Sequence, residues 1–268
     1  MLTDVSLENT ALLQTLLAAG ATDRVILSAE RTAPERWKEA AAEIRAAGAE
    51  AVLALPYVFR AEAADWLSAH RKTLTEAGFD GFLIRNIDEA GFFRENGIPG
   101  KRIFDAGMYT WNHVSAEVCR SLGADELTLP YELNQRELQE RGVDSSDTLI
   151  VYGKIPLMLS AQCTKKNTGG CLKKSGSPGL LAPAYSTLTD RKGAVFTEDS
   201  RCQLCYMVIY NSVPLWLLDK IPENTGRVRL CFTDETEKEL LAVLEACRKR
   251  GKPKEGSFTR GHFTRGVE

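Results

Sequence analysis

DRVILSAERTAPERWKEAAAEIRAAGAEAVLALPYVF, residues Asp23 to Phe59, holds two short apolar runs on either side of an amphipathic stretch. DRVILSAE reads as a strand, ERWKEAAAEIRAAG as the helix after it, and AEAVLALPYVF as the next strand. The same unit recurs on both sides. RAEAADWLSAHRKTLTEAG reads as a helix closed by Gly78, GFLIRN as a strand, and IDEAGFFREN as a short helical or irregular link. KRIFDAGMY, DELTLPYE and DTLIVYG follow as strands, with helices over NHVSAEVCRSLG and NQRELQERG between them. Strands alternating with helices at about 25-residue spacing mean βα units and a parallel sheet. LTDVS near the start and RVRLCFT near the end bring the strands towards the eight of a barrel. No G-x-G-x-x-G follows any strand, which disfavours the competing doubly wound dinucleotide-binding sheet. The expected fold class is therefore α/β, a (β/α)8 TIM-type barrel.

The regularity breaks after Gly153. Residues 154–226 hold five of the ten prolines, four of the seven cysteines, and β-like runs such as GAVFTED and CYMVIYNS. This segment reads as a cysteine-rich, metal-binding insertion before the last strand. It emerges from a strand's C-terminal end, the face where barrels place their active sites. The expected division is a barrel over 1–153 and 227–250, the insertion over 154–226, and a polar tail over 251–268.

The cysteines are Cys163, Cys171, Cys202 and Cys205, in the pattern Cys-x7-Cys-x30-Cys-x2-Cys. Thiolates grouped this way suit a soft metal centre, either cluster iron or zinc. A closed four-cysteine zinc site would be structural, because no position remains open for water. Lys, Gly and Asn around the first pair argue against buried free thiols, whereas Cys119, Cys231 and Cys247 read as core thiols. Cys231 lies close enough to a strand end to serve as a substitute ligand. The odd cysteine count argues against a full disulfide framework.

Apolar residues make up 44% of the 268, and 34 basic residues face 36 acidic ones, so no global field for nucleic acid or membrane follows. With neither a secretory signal pattern nor a bilayer-length apolar run, a cytoplasmic location is expected. Local charge says more. Lys165, Lys166, Lys173 and Lys174 surround the first cysteine pair. Arg248, Lys249, Arg250, Lys252, Lys254, Arg260 and Arg265 crowd the C-terminus. If the two patches share a face, they would neutralise RNA phosphates beside the cysteines; the alternative is an ordinary solvated surface. Tyr206, Tyr210 and Trp216 would stack on bases or belong to the core.

Candidate acid/base groups at strand ends are Asp105 and Glu132, each with a helix cap or ion pair as the plainer role. His113, at a helix start on the functional face, is a third candidate. His70 reads as a surface residue of its helix. Asp190 and Arg191, in LTDRKG, read as catalytic or as an ion pair stabilising the insertion. No H-E-x-x-H or G-x-S-x-G occurs, so motif chemistry does not support a protease.

VYGKIPLMLSAQC, LTDRKGAVF, CQLCYMVIYNSVPL and FTRGHFTRGVE together resemble the collagenase-like U-32 peptidase family. YTWNHVSAEVCRSLGADELTLPYELNQREL is similar to its barrel segment, in which an Asn opens a helix and an E-L-(S/N) signature follows a strand. More narrowly, the cysteine spacing and tail resemble the C-terminal barrel of the long members, which implies an upstream barrel or a partner subunit. The resemblance implies one of two activities: collagenase-type peptidase, or hydroxylation of a pyrimidine base in tRNA or ribosomal RNA by members related to the ubiquinone hydroxylases. In the hydroxylating members four cysteines hold a 4Fe–4S cluster, and Cys163, Cys171, Cys202 and Cys205 match those segments. The spacing differs from the ubiquinone-type members, which leaves zinc open. A non-catalytic, zinc-stabilised barrel binding RNA or a partner domain is the third alternative.

Overall fold

The computed structural model describes residues 1–171, 173–174, 181, 183, 185–222, 225–253 and 257–267. Parallel strands β1 (Leu2–Leu7), β2 (Arg24–Ser28), β3 (Glu50–Ala54), β4 (Gly81–Ile84), β5 (Lys101–Phe104) and β6 (Glu126–Leu127) are consecutive neighbours. On the other side of β1 lie the last strand, β13 (Arg227–Phe232), and then β7 (Thr148–Gly153). The helices α1 (Leu13–Ala19), α2 (Trp37–Ala46), α3 (Ala61–Ala69), α4 (Arg71–Glu76), α5 (Ile87–Asn96), α6 (His113–Ser121), α7 (Gln135–Arg141) and α9 (Glu237–Lys249) connect or follow the strands. Between β7 and β13 come β8 (Pro156–Ser160), α8 (Thr164–Thr168), β9 (Tyr185–Thr189), β10 (Val195–Arg201), β11 (Tyr206–Tyr210) and β12 (Leu215–Trp216).

The parallel sheet is curled. Arg24 of β2 donates to Glu126 of β6 at 2.7 and 2.8 Å. Three strands separate them in the order, which would hold them on the order of 19 Å apart in a flat sheet. At its outer edges β6 approaches β7: Thr128 and Thr148 form a parallel bridge, and the Leu129 N–H donates to the Thr148 carbonyl at 2.9 Å. Alternate strand residues face the enclosed interior. At the strand starts Arg24 is fully buried and also contacts Asp4 and Glu50, while Arg227 pairs with Asp4 and Lys101 with Glu50. A thin apolar layer of Ile26, Val52, Ala54, Leu83 and Ile103 lies above these ions. The larger apolar core fills the space between sheet and helices.

Local chemistry explains the helix starts. Asn112, Asn134 and Thr236 cap α6, α7 and α9 in reciprocal capping boxes, and Asn86 caps α5 through the Glu89 N–H. IDEAGFFREN is thus a full helix. The expected helix over 60–78 is interrupted at His70, whose Nδ1 lies 2.8 Å from the Trp66 carbonyl and whose ring packs against Trp37 and Trp66. His70 is therefore half-buried in an aromatic cluster and not a surface residue.

Gly153 marks where the chain leaves the curled sheet. Its φ is +135°, and a Cβ there would fall 2.4 Å from the Cys231 carbonyl, so the site demands glycine. No helix of the βα kind follows β7 among the described residues. β8, β11, β10 and β9 instead form a separate antiparallel sheet in that order, while β12 pairs back onto β7. The expected polar tail also packs on the curled sheet and its helices. Thr259 bridges Leu215, Arg260 binds Asp219 and the Trp216 carbonyl, and Phe263 is buried while its carbonyl accepts from Gln135 N–H at 3.0 Å. No helix among the described residues is long and apolar enough to cross a membrane.

Replacing Arg24 by Met leaves three carboxylates facing one another at the foot of the sheet. We expect a loss of about 3–5 kcal/mol, read as a lower urea midpoint.

Candidate functional site

The C-terminal ends of the strands carry a second ionic array. Glu8 follows β1 and receives Arg85 from the end of β4 at 3.4 Å and Arg201 from β10 at 2.9 Å. Arg85 donates through Nε to Asp105 Oδ2 at 3.3 Å and through Nη1 to the Leu55 carbonyl at 2.9 Å. Its guanidinium lies 3.6 Å from the centre of the Tyr57 ring. Asp105 takes a further bond from Arg229 of β13 at 2.8 Å. Burial alone would raise the Glu8 carboxyl, but Arg201 and Arg85 overcome that and hold it at about 2.

Above this array lies a cavity of about 390 Å³. Tyr57, Arg85, Asp105, Tyr131 and Glu132 supply its polar lining, and β8 supplies Pro156 to Leu159 as an aliphatic wall. Tyr109 joins the rim, exposed and held at φ +51°. A neighbouring cavity of about 240 Å³ contains Trp111 and shares Glu132 with the first. Glu132 Oε2 is buried and makes no hydrogen bond among the described residues.

Asp105 and Glu132 thus stand where the strand-end reading expects them, on one cavity. His113 is exposed at the first turn of α6 and lines neither cavity. Asp190 shapes the β9–β10 turn, where its Oδ1 accepts the Lys192 and Ala194 N–H groups, and Arg191 is exposed beside it. Those two sit at a hairpin tip without pairing with each other. Glu8, Tyr57, Arg85 and Arg201 escaped the sequence reading. The signal for Glu8 was the period-two polar pattern Asp4, Ser6, Glu8, matched by Arg227, Arg229, Cys231, which marks inward-facing positions once the sheet is curled; Tyr57, Arg85 and Arg201 belong to no such pattern.

Cys202 and Cys205 occupy the tip of the β10–β11 hairpin, directly after Arg201 and directly before Tyr206. Cys205 adopts φ +57° to close the turn. Cys163 caps α8, its sulfur accepting the Lys166 N–H at 3.4 Å. The backbone N–H groups of Lys174 and Lys173 lower the Cys171 thiol. Lys173 Nζ donates to the Gln203 carbonyl at 2.9 Å and lies 3.8 Å from Cys205 Sγ. Burial raises the Cys202 thiol, and the thiols of Cys163 and Cys171 act on it in the same direction. The four cysteines therefore share one neighbourhood. Backbone N–H groups aimed at sulfur suit thiolate ligands. Among the described residues no three Cys, His, Asp or Glu side chains are drawn close enough to hold a metal ion. The donor set fits a soft metal; the sulfurs are gathered without being closed on a centre.

Cys119 and Cys247 are buried in the core, and Cys231 is an interior thiol of β13 that burial pushes to about 12. Tyr206 and Tyr210 are buried with their hydroxyls in the ionic array, which removes them as base-stacking platforms. The Arg248–Lys249 part of the C-terminal basic patch lies away from the cysteines. Arg248 reaches the Ala19 carbonyl at the C-terminal end of α1, at the foot of the sheet, because α9 runs antiparallel to the strands. Lys165, Lys166, Lys173 and Lys174 hang from the opposite end. Arg248 and Lys249 pair locally with Glu245, and Lys254 lies outside the described residues.

Two buried carboxyls give opposite pH signatures. Glu8 contributes stability above pH 4.5 that is lost as pH falls towards 2. Glu89, fully buried behind β4, is pushed by burial up to about 8, with Oε1 making no hydrogen bond among the described residues. It stays protonated in the folded chain while its unfolded counterpart ionises, so stability falls as pH rises from 4.5 to 8. Glu89→Gln should flatten the wild-type decline in melting temperature across that window.

No family model matches this chain, and no curated protein does. Among solved structures it is similar to an uncharacterized B. cereus protein, at 13% identity and a TM-score of 0.43 over 91% of this chain and 63% of that one. It is also similar to the HpcH/HpaI aldolase from Desulfitobacterium hafniense DCB-2, at 11% identity and a TM-score of 0.37 over 94% and 93% of the two chains. A putative deoxyribose-phosphate aldolase from Coccidioides immitis matches at 12% identity and a TM-score of 0.38 over 55% and 69%. The chain spans less than two thirds of the B. cereus protein, and no activity is carried over from any of the three.

Proposed function

We propose that this chain is a U-32-type (β/α)8 barrel whose cysteine-rich insertion holds a metal group, an iron–sulfur cluster ahead of zinc. In this reading it takes part in hydroxylating a pyrimidine base of tRNA or ribosomal RNA, together with an upstream barrel or partner subunit. The observation that carries the reading is the shared surroundings of Cys163, Cys171, Cys202 and Cys205, on a hairpin whose flanking Arg201 binds Glu8 beneath a polar cavity at the strand ends. Those four residues would hold the group, which supplies one-electron chemistry when it is a cluster. A cavity of about 390 Å³ with an aliphatic wall, three tyrosines and a few charged groups suits a small flat polar ring.

The chain's own residues divide the remaining work. Asp105, clamped by Arg85 and Arg229, orients a donor on the ring. Glu132 has an uncommitted carboxylate oxygen and is the group able to accept or return a proton there. The apolar side chains of β8 exclude water from one side. Lys165, Lys166, Lys173 and Lys174 neutralise phosphates flanking the base.

Protein purified without oxygen should carry about four irons and four sulfides per chain, with visible absorbance of a cluster. Cys202→Ser should remove both metal and colour. One zinc without iron would instead make the cysteines a structural clamp, and an unchanged metal content in Cys202→Ser would sink the ligand assignment.

A further inference from the structure

The hairpin that bears Cys202 and Cys205 is gripped by the barrel on both sides of its tip. Arg201 and Tyr206 stand directly opposite each other in the β10–β11 ladder, so their side chains leave the same face. Both are buried. The Arg201 guanidinium binds Glu8 at 2.9 Å, Asp199 at 2.9 Å, the Tyr210 hydroxyl at 3.1 Å and Ser28 Oγ at 3.3 Å. The Tyr206 hydroxyl donates to Glu30 and accepts the Tyr57 N–H at 3.1 Å. Glu8 continues the array to Arg85 and Asp105, which line the cavity together with Tyr57.

Resting on the reading of the cysteines as metal ligands, we propose that Arg201 and Tyr206 are positioning residues. They couple metal loading at the hairpin tip to the geometry of the barrel-mouth cavity. The physical reason is that neither side chain has a low-cost alternative place. A buried guanidinium cannot leave its carboxylates without exposing uncompensated charge, and a buried phenol cannot leave its partners without orphaning them. A shift of the residue beside Cys202 or Cys205 is therefore passed on to Glu8 and Tyr57. Coupling of this kind is reciprocal: what the metal does to the mouth, a change at the mouth must do to metal affinity.

The test titrates the reduced, metal-free full chain with zinc ions against a chromophoric chelator. Glu8→Gln and Tyr206→Phe keep all four cysteines and nearly all of the packing. Each should weaken zinc binding on the order of tenfold. Arg201→Lys, which keeps the cation, should fall between those variants and wild type. Glu126→Gln, which disturbs the unconnected array at the foot of the sheet, should bind zinc as wild type does and so separates coupling from general destabilisation. In the reverse direction, zinc should slow amide hydrogen exchange around Tyr57, Arg85 and Asp105 in wild type, and less so in Glu8→Gln. Wild-type zinc affinity in both Glu8→Gln and Tyr206→Phe, or protection confined to residues 156–210, overturns the coupling and leaves the metal reading intact. A wild-type chain that binds no zinc overturns the metal reading, and the coupling with it.

Discussion

Glu8 is shared by two buried guanidiniums, Arg85 from the curled parallel sheet and Arg201 from the antiparallel one. Desolvating three charges is expensive, and the arrangement survives because each ion finds further partners: Leu55 and Asp105 for Arg85, Asp199 and Tyr210 for Arg201. The array makes the two sheets one object. The apolar contact of Leu204, Tyr206, Val208 and Tyr210 with Ala63 and its neighbours adds burial between the same two sheets. That contact is non-directional and would not fix where the cysteine tip stands relative to the cavity.

The interior of the curled sheet is ionic at both ends, but the two ends differ in kind. At the foot, Arg24 and Arg227 face Asp4, Glu50 and Glu126 in direct contact, which is the pattern of a plug that holds strands in register. At the other end the ions leave room. Asp105 and Glu132 border open volume, and one oxygen of Glu132 makes no hydrogen bond among the described residues. Unsatisfied polar atoms are costly in a plug and useful in a binding site.

The strand–helix alternation was legible because each run is locally consistent, with apolar strands and capped helices in turn. The shortness of β6 within DELTLPYE and the break at His70 were not, since both depend on packing partners far along the chain. Asp105 and Glu132 could be found from their position at strand ends. Arg201 could not, because its partner Glu8 lies 193 residues away and nothing local marks it. FTRGHFTRGVE is polar by composition, yet Phe263 is buried in the core. One aromatic in a glycine-rich stretch carries too little periodicity to announce docking.

Strand β1 pairs with β13, Leu2 beside Arg227 and Leu7 beside Phe232. Two neighbouring ribs of the sheet thus come from segments far apart in the chain. Everything from β2 to β12 must wait, collapsed but incomplete, with the inner edge of β1 lacking its partner. Such long-range closure makes for slow folding and exposes a strand edge in the interval. The charges along that edge, Asp4 and Glu8, discourage the waiting strand from pairing with another chain.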